Sequence, residues 1–279
     1  MKSLPRATEL VKSSWSFFIS TWSESVKVSI WFVYIGLLQF ALLGLIKISP
    51  DGADALYLMI SLFSILAIVL WVWTVIRTVQ TMLRLDAGKK IDLSRESKIR
   101  AWKEFLPLVW IAVLQMLILL GACFPLIVWK FSYLFFGMAR VSPQIFLFVT
   151  ALLSIPLVWV GVQLGFTLPV AVDTDERGMR ALETSRTLVE GRWGQVFGRA
   201  LIGLVVFGGL LWIVLTLMIF FISAIIGPDM LIAIASNPYD VDPLIEGAIT
   251  LLKSIVQAAM FPLFVGFHVK LYRALQRTR

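Results

Sequence analysis

Long apolar runs alternate with short polar segments along the whole chain. Six runs are long enough for a helix to cross a bilayer, which takes about 20 residues. They cover 26–46, 55–84, 106–129, 144–172, 200–226 and 247–271, and each predicts a transmembrane helix. The run at 55–84 makes about 45 Å of helix against about 30 Å of hydrocarbon. Its end with Arg77 and Arg84 is therefore expected to project or to tilt. Pro107 falls in the first turn of the third run, where proline is tolerated. Pro125 predicts a kink or a stop near the other end of that run. Pro156 and Pro169 lie in the fourth.

The polar segments carry a second pattern. From Gly178 to Gly203, the residues Ala181, Leu182, Ser185 and Val189 share one helical face, while Glu183, Arg186 and Glu190 fall elsewhere. Gly191 can end that helix. Trp193 follows, and the fifth apolar run begins. The pattern predicts a short helix on the membrane surface over 179–190, a sharp turn, an interfacial tryptophan, and a helix entering the bilayer. The start of the chain repeats it over 7–20. Ala7, Leu10, Val11, Ser14, Trp15 and Phe18 share one face, Glu9, Lys12, Ser13 and Ser16 the other, and Trp22 follows.

Shifting the chain by 171 positions superposes Trp22 on Trp193, Ser14 on Ser185 and Val11 on Leu182. A shift of 80 superposes Trp22 on Trp102 and Ser14 on Ser94, although only Ile91, Leu93 and Ile99 offer an apolar face before Trp102. The order of polar segment, tryptophan and two spans thus occurs three times. It gives repeat units 7–84, 87–172 and 178–271 within a single membrane domain, 1–279. Units that begin on the same side are parallel repeats; any six-span chain also divides into three hairpins. Such an outline resembles mitochondrial carriers, but the Pro-x-Asp/Glu-x-x-Lys/Arg signature of that family is missing from the end of each first helix.

Composition agrees with a membrane protein. Of 279 residues, 59% are hydrophobic and only 15% charged, against about 25% charged in soluble domains. The net charge of +8 is distributed by topology. One side of the predicted spans takes Lys2, Arg6, Lys12, Lys27, Arg77, Arg84, Lys89, Lys90, Arg95, Lys98, Arg100, Lys103, Arg177, Arg180, Arg186, Arg192, Arg199, Lys270, Arg273, Arg277 and Arg279. The other side takes Lys47, Lys130, Arg140 and Lys253. Positive residues stay cytoplasmic, so both termini are expected there, in a bacterial inner membrane. This distribution also argues against nucleic acid as the partner. The first 25 residues include Glu9 and Glu24 and no short apolar core, so a cleaved signal peptide is not expected.

Reactive chemistry is sparse. The one histidine, His268, reads as an interfacial polar residue, and the one cysteine, Cys123, as a packing residue. No His/Cys/carboxylate cluster points to a metal, no phosphate loop is present, and no catalytic residue or cofactor is expected. Mid-span polar groups include Gln115, Gln163 and Gln257. They read as hydrogen bonds between helices or as the lining of a polar path for a small solute. Asp229, Asp240, Asp242 and Glu246 suit either turn chemistry or a divalent cation. Arg180, Arg186, Arg192 and Arg199 are candidates for an anionic lipid headgroup, and Trp22, Trp102 and Trp193 for interfacial anchors.

The residues Pro169, Asp173, Ala181, Leu182, Ser185, Leu188, Gly191 and Trp193 form a pattern that resembles the YciC-like membrane families. It is also similar to the membrane domain fused to some bacterial glycerophosphoryl diester phosphodiesterases. The resemblance implies a six-span helical bundle; the hydrolase barrel of those fusions has no counterpart here. The sequence therefore predicts an all-α integral membrane protein of six transmembrane helices in three hairpins, each preceded by a cytoplasmic surface helix or polar segment. The expected role is non-enzymatic support of envelope organisation through lipid or protein partners. The alternative is a transporter or channel for a small solute.

Overall fold

The computed structural model describes residues 4–48, 53–89, 95–135, 142–174, 176–227 and 243–278. The described residues contain helices and no strand. In chain order these are α1 (Ala7–Ser29), α2 (Trp31–Ile48), α3 (Ala53–Asp86), α4 (Arg95–Phe135), α5 (Pro143–Leu164), α6 (Thr167–Thr174), α7 (Met179–Val189), α8 (Trp193–Ile226) and α9 (Pro243–Arg277). Among the described residues, five stretches are long and apolar enough to cross a membrane: 61–86 in α3, 105–131 in α4, 144–174 through α5 and α6, 193–224 in α8, and 244–277 in α9. α1 and α2 meet at a 40° bend and add a sixth if they are one broken span. The architecture is that of an all-α, multi-pass membrane protein.

Several helix boundaries differ from those the sequence predicts. α1 runs on to Ser29 rather than stopping near residue 20, because Thr21 to Ser29 contains neither glycine nor proline. The polar segment before Trp102 and the third span are one helix, so Pro107 lies inside α4 rather than in a first turn. Pro125 does not end that helix, which continues to Phe135. The fourth span is broken at Gly165 and Phe166, and Pro169 then falls in the first turn of α6. α7 ends as the glycine rule requires: Gly191 follows it at φ 76°, in the left-handed region.

The chain forms two compact units, and α8 and α9 each contribute to both. One unit comprises Pro5–Asp92 and Ala200–Leu271. In it α1 and α2 pack on α3, and small residues let helix backbones approach closely. Ser29 Oγ donates to the Ala258 carbonyl at 2.7 Å. A Cβ on Gly36 would come within 2.4 Å of Ser254 Oγ, one on Gly247 within 2.7 Å of Phe40, and one on Gly203 within 2.3 Å of the Phe267 ring. The face of α1 formed by Leu10, Ser14, Phe17 and Phe18 is buried by other helices, not left for lipid. Lys270 pairs with Asp86 at 2.5 Å and lies over the Phe17 ring. Asp86 is only 7% exposed, so α3 and α9 are joined at their polar ends by a pair largely withdrawn from water.

The other unit comprises Met1–Leu4, Leu93–Arg199 and Tyr272–Arg279. α4 and α5 form its hairpin, and α6 and α7 pack against it. Its core collects Leu108, Ile111, Phe166, Val170, Ala181, Leu182, Val189, Val196, Tyr272 and Leu275.

The Gly203 contact is testable. Gly203→Ala should lower stability by about 1–3 kcal/mol, the usual cost of overpacking. Gly194→Ala and Gly198→Ala place a methyl in open space and should be near neutral. Thermal unfolding of the three variants in detergent checks this; equal melting for all three would refute the close approach of α8 to α9.

Candidate functional site

A cluster of side-chain hydrogen bonds lies where α5 ends. Breaking the helix at Gly165 and Phe166 frees carbonyls that a continuous helix would use, and these need donors inside the protein. Ser185 Oγ, from α7, donates to the Gln163 carbonyl at 2.7 Å. Thr167 Oγ1 and Gln115 Nε2 donate to the Leu164 carbonyl at 2.7 and 3.3 Å. Three elements therefore complete one broken turn. Ser185 is fully buried for this purpose, as the apolar face of Ala181, Leu182, Leu188 and Val189 packs against protein around it.

One turn beyond Pro169, Asp173 holds the end of α6 to α9. Arg273 binds its carboxylate through two nitrogens, at 2.8 and 2.9 Å. Tyr272 Oη and Gln276 Nε2 donate to the same carboxylate at 3.1 Å. Gln276 Nε2 also donates to Tyr272 Oη at 2.6 Å, and its Oε1 accepts from Arg273 at 2.8 Å. The Arg273 and Asp173 side chains are 23% and 20% exposed, so the two-pronged pair is partly shielded from solvent screening.

The arginines singled out by sequence divide into two kinds. Arg192 donates to Thr278 Oγ1 at 2.6 Å. Arg199 donates to the Gln195 and Leu4 carbonyls. Both fasten the chain to itself. Arg180 and Arg186 are exposed on α7. Of the three glutamines, Gln115 and Gln163 belong to one unit and Gln257 to the other, and Gln115 serves the Leu164 carbonyl.

The tryptophans differ from one another. Trp22 lies within α1, 41% exposed, with its ring edge-on to Phe18. Trp193 opens α8, stacks between Trp159 at 4.8 Å and Phe197 at 5.0 Å, and donates its indole N–H to the Trp159 carbonyl at 3.2 Å. The Trp102 side chain lies outside the described residues, as do Asp229, Asp240 and Asp242.

Tyr272, Arg273 and Gln276 were not picked out by sequence. The available signal was Asp173 itself, an acidic residue near a span end that needs a cationic partner. No family model, characterised protein or solved structure matches this chain.

Arg273→Lys keeps the charge but loses the two-pronged geometry. It should cost about 1.5–3 kcal/mol, the range for hydrogen bonds to a charged group. Ser185→Ala should cost a similar amount by leaving the Gln163 carbonyl without its side-chain donor. Denaturation in detergent measures both; an unchanged midpoint for Ser185→Ala would show that the broken turn does not depend on α7.

Proposed function

We propose that this is a non-enzymatic, multi-pass protein of the bacterial inner membrane that binds anionic lipid headgroups and supports envelope organisation, with both termini cytoplasmic. The observation that carries the reading is the exposure of Arg180 and Arg186 on α7, whose opposite face is anchored in the protein. A helix held by its opposite face that presents exposed guanidinium groups suits lipid phosphates, which arginine contacts through two N–H groups. Each such residue near an anionic surface contributes about 1 kcal/mol. Of the residues whose pattern resembles the YciC-like membrane families, Ala181, Leu182 and Ser185 form the face that anchors α7, and Asp173 the pair that anchors α6. The transporter alternative receives less support, because Gln115 is engaged in completing the α5 break.

Reversing both Arg180 and Arg186 to Glu should cut retention of phosphatidylglycerol and cardiolipin in native mass spectrometry by about tenfold, at roughly 1–2 kcal/mol in all. Insertion should be unchanged. Arg192→Glu should instead reduce stability, by breaking the bond to Thr278. Undiminished anionic lipid on the double variant would remove the proposal, and solute flux lost on Gln115→Leu in proteoliposomes would favour the transporter.

Reporter fusions test the topology. A reporter after Arg279 or after Arg192 should read cytoplasmic, and one within 230–243 external. An external C-terminus contradicts the assigned orientation.

A further inference from the structure

α1 turns three faces to three different surroundings. Leu10, Ser14, Phe17, Ser25 and Val28 are buried against the protein. Glu9, Ser13, Ser16, Ser20 and Lys27 lie on an exposed polar face. Between the two, at spacings of four and three residues, Trp15, Ile19 and Trp22 form an apolar stripe that is 42%, 59% and 41% exposed. The stripe does not stop at the bend. Val26, half-buried, and Ile30, exposed, continue it at the same spacing, and Tyr34, Leu38 and Leu45 carry it along α2. α2 has no charged residue before Lys47, and the exposed leucines of such a helix face acyl chains.

α1 and α2 run antiparallel to α9. Phe17 lies beside Lys270, Ser29 beside Ala258, Gly36 beside Ser254 and Gly44 beside Leu244. From Lys270 to Leu244 is about 39 Å of helix, against about 30 Å of hydrocarbon. Three observations put the membrane boundary at the Ile30 bend. First, α2 has 18 residues, about 27 Å of helix, and the part of α3 from Ala53 to Trp73 about 31 Å, each close to one hydrocarbon thickness. Second, α3 exposes large apolar side chains from Leu58 to Trp71, whereas from Thr74 to Leu83 it is buried or half-buried. Trp31 meets Trp73 and Tyr34 edge-on at this level, at 5.5 and 5.6 Å, as aromatic residues do at a membrane–water interface. Third, the Glu24–Lys27 pair just before the bend is exposed, which hydrocarbon does not tolerate.

We propose that α1 is an interfacial helix. Trp15, Ile19 and Trp22 are seated among the headgroups and upper acyl chains of the leaflet at which α3 ends, and α2 alone crosses the bilayer. The 40° bend turns α1 away from the direction of the span. Its polar face then meets water, and its buried face holds it to α3. The occupant of the stripe is the bilayer surface, because the stripe is continuous with the lipid-facing side of α2. A helix with one apolar and one polar side exposed is the form that suits this depth. The surface is separate from Arg180 and Arg186 on α7.

Single cysteines introduced into the full-length Cys123→Ala protein and labelled with a nitroxide report depth in nanodiscs of phosphatidylethanolamine and phosphatidylglycerol. Electron paramagnetic resonance reads the access of each site to oxygen and to a water-soluble nickel chelate. Trp15→Cys, Ile19→Cys and Trp22→Cys should lie about 5–10 Å below the phosphates. Ser16→Cys, Ser20→Cys and Ser23→Cys should lie in water, and Leu38→Cys deeper than all of them. Val26→Cys, on the same stripe, supplies the reading if a tryptophan proves necessary for folding. Serine sites as deep as Leu38 would make α1 part of a broken span and overturn the proposal. So would a stripe that lies in water, or one closed to both reagents, which would mean that a protein such as a second copy covers it. Arg180 and Arg186 take no part in this surface, so the depth profile and the anionic-lipid reading fail separately.

Discussion

A helix that breaks at membrane depth has to find donors for the carbonyls it frees, because hydrocarbon supplies none. Gly165 and Phe166 impose that requirement, and Ser185, Thr167 and Gln115 meet it. The consequences spread outward from there. α7 has to lie against α5 for Ser185 to reach, so its apolar face turns inward. α6, only eight residues long, is then held at its start by this repair and at its end by Asp173. The two anchors bring Glu176 and Arg177 beside Pro107 and Leu108 of α4.

Positive charge in this chain performs two tasks that sequence alone cannot separate. Topology calls for lysine and arginine on one membrane side, whatever they contact. Within that allotment, Arg192, Arg199, Lys270 and Arg273 bind the protein to itself. Arg177, Arg180 and Arg186 are left facing out. Of these seven, only the second group is exposed.

Five of the six expected spans were legible because apolar length has a single physical meaning at this scale; the first, 26–46, is instead divided between α1 and α2 at Ile30. The end of α7 was legible for a similar reason, since Gly191 adopts a backbone conformation that other residues avoid. The break in the fourth span was legible only in part. Pro156 sits inside α5 without ending it, whereas Pro169 denies a donor to the carbonyl four residues back, at Gly165, where the helix breaks; the pattern alone does not say which proline prevails. The α7 face was read correctly, with Ala181, Leu182, Ser185 and Val189 all buried; on α1, Trp15, expected on the apolar face, is 42% exposed and Phe17 is buried instead, and periodicity does not say whether the covering material is lipid or protein. Asp173 stood out in the sequence, yet its partners are about a hundred residues away, at Tyr272, Arg273 and Gln276. No spacing rule reaches that far.

The Ser185 bond has a consequence in time as well as in space. Its donor lies 22 residues beyond its acceptor, and ribosomes add about 5–20 residues per second. The exit of α5 thus waits about one to four seconds for its donor to be synthesised, at the same rate. Arg273, 100 residues beyond Asp173, follows only after about 5–20 seconds. During the first interval the carbonyl of Gln163 has to be served by water or by the insertion machinery. Biogenesis therefore favours keeping this end of the helix near the aqueous boundary until α7 arrives to close over it.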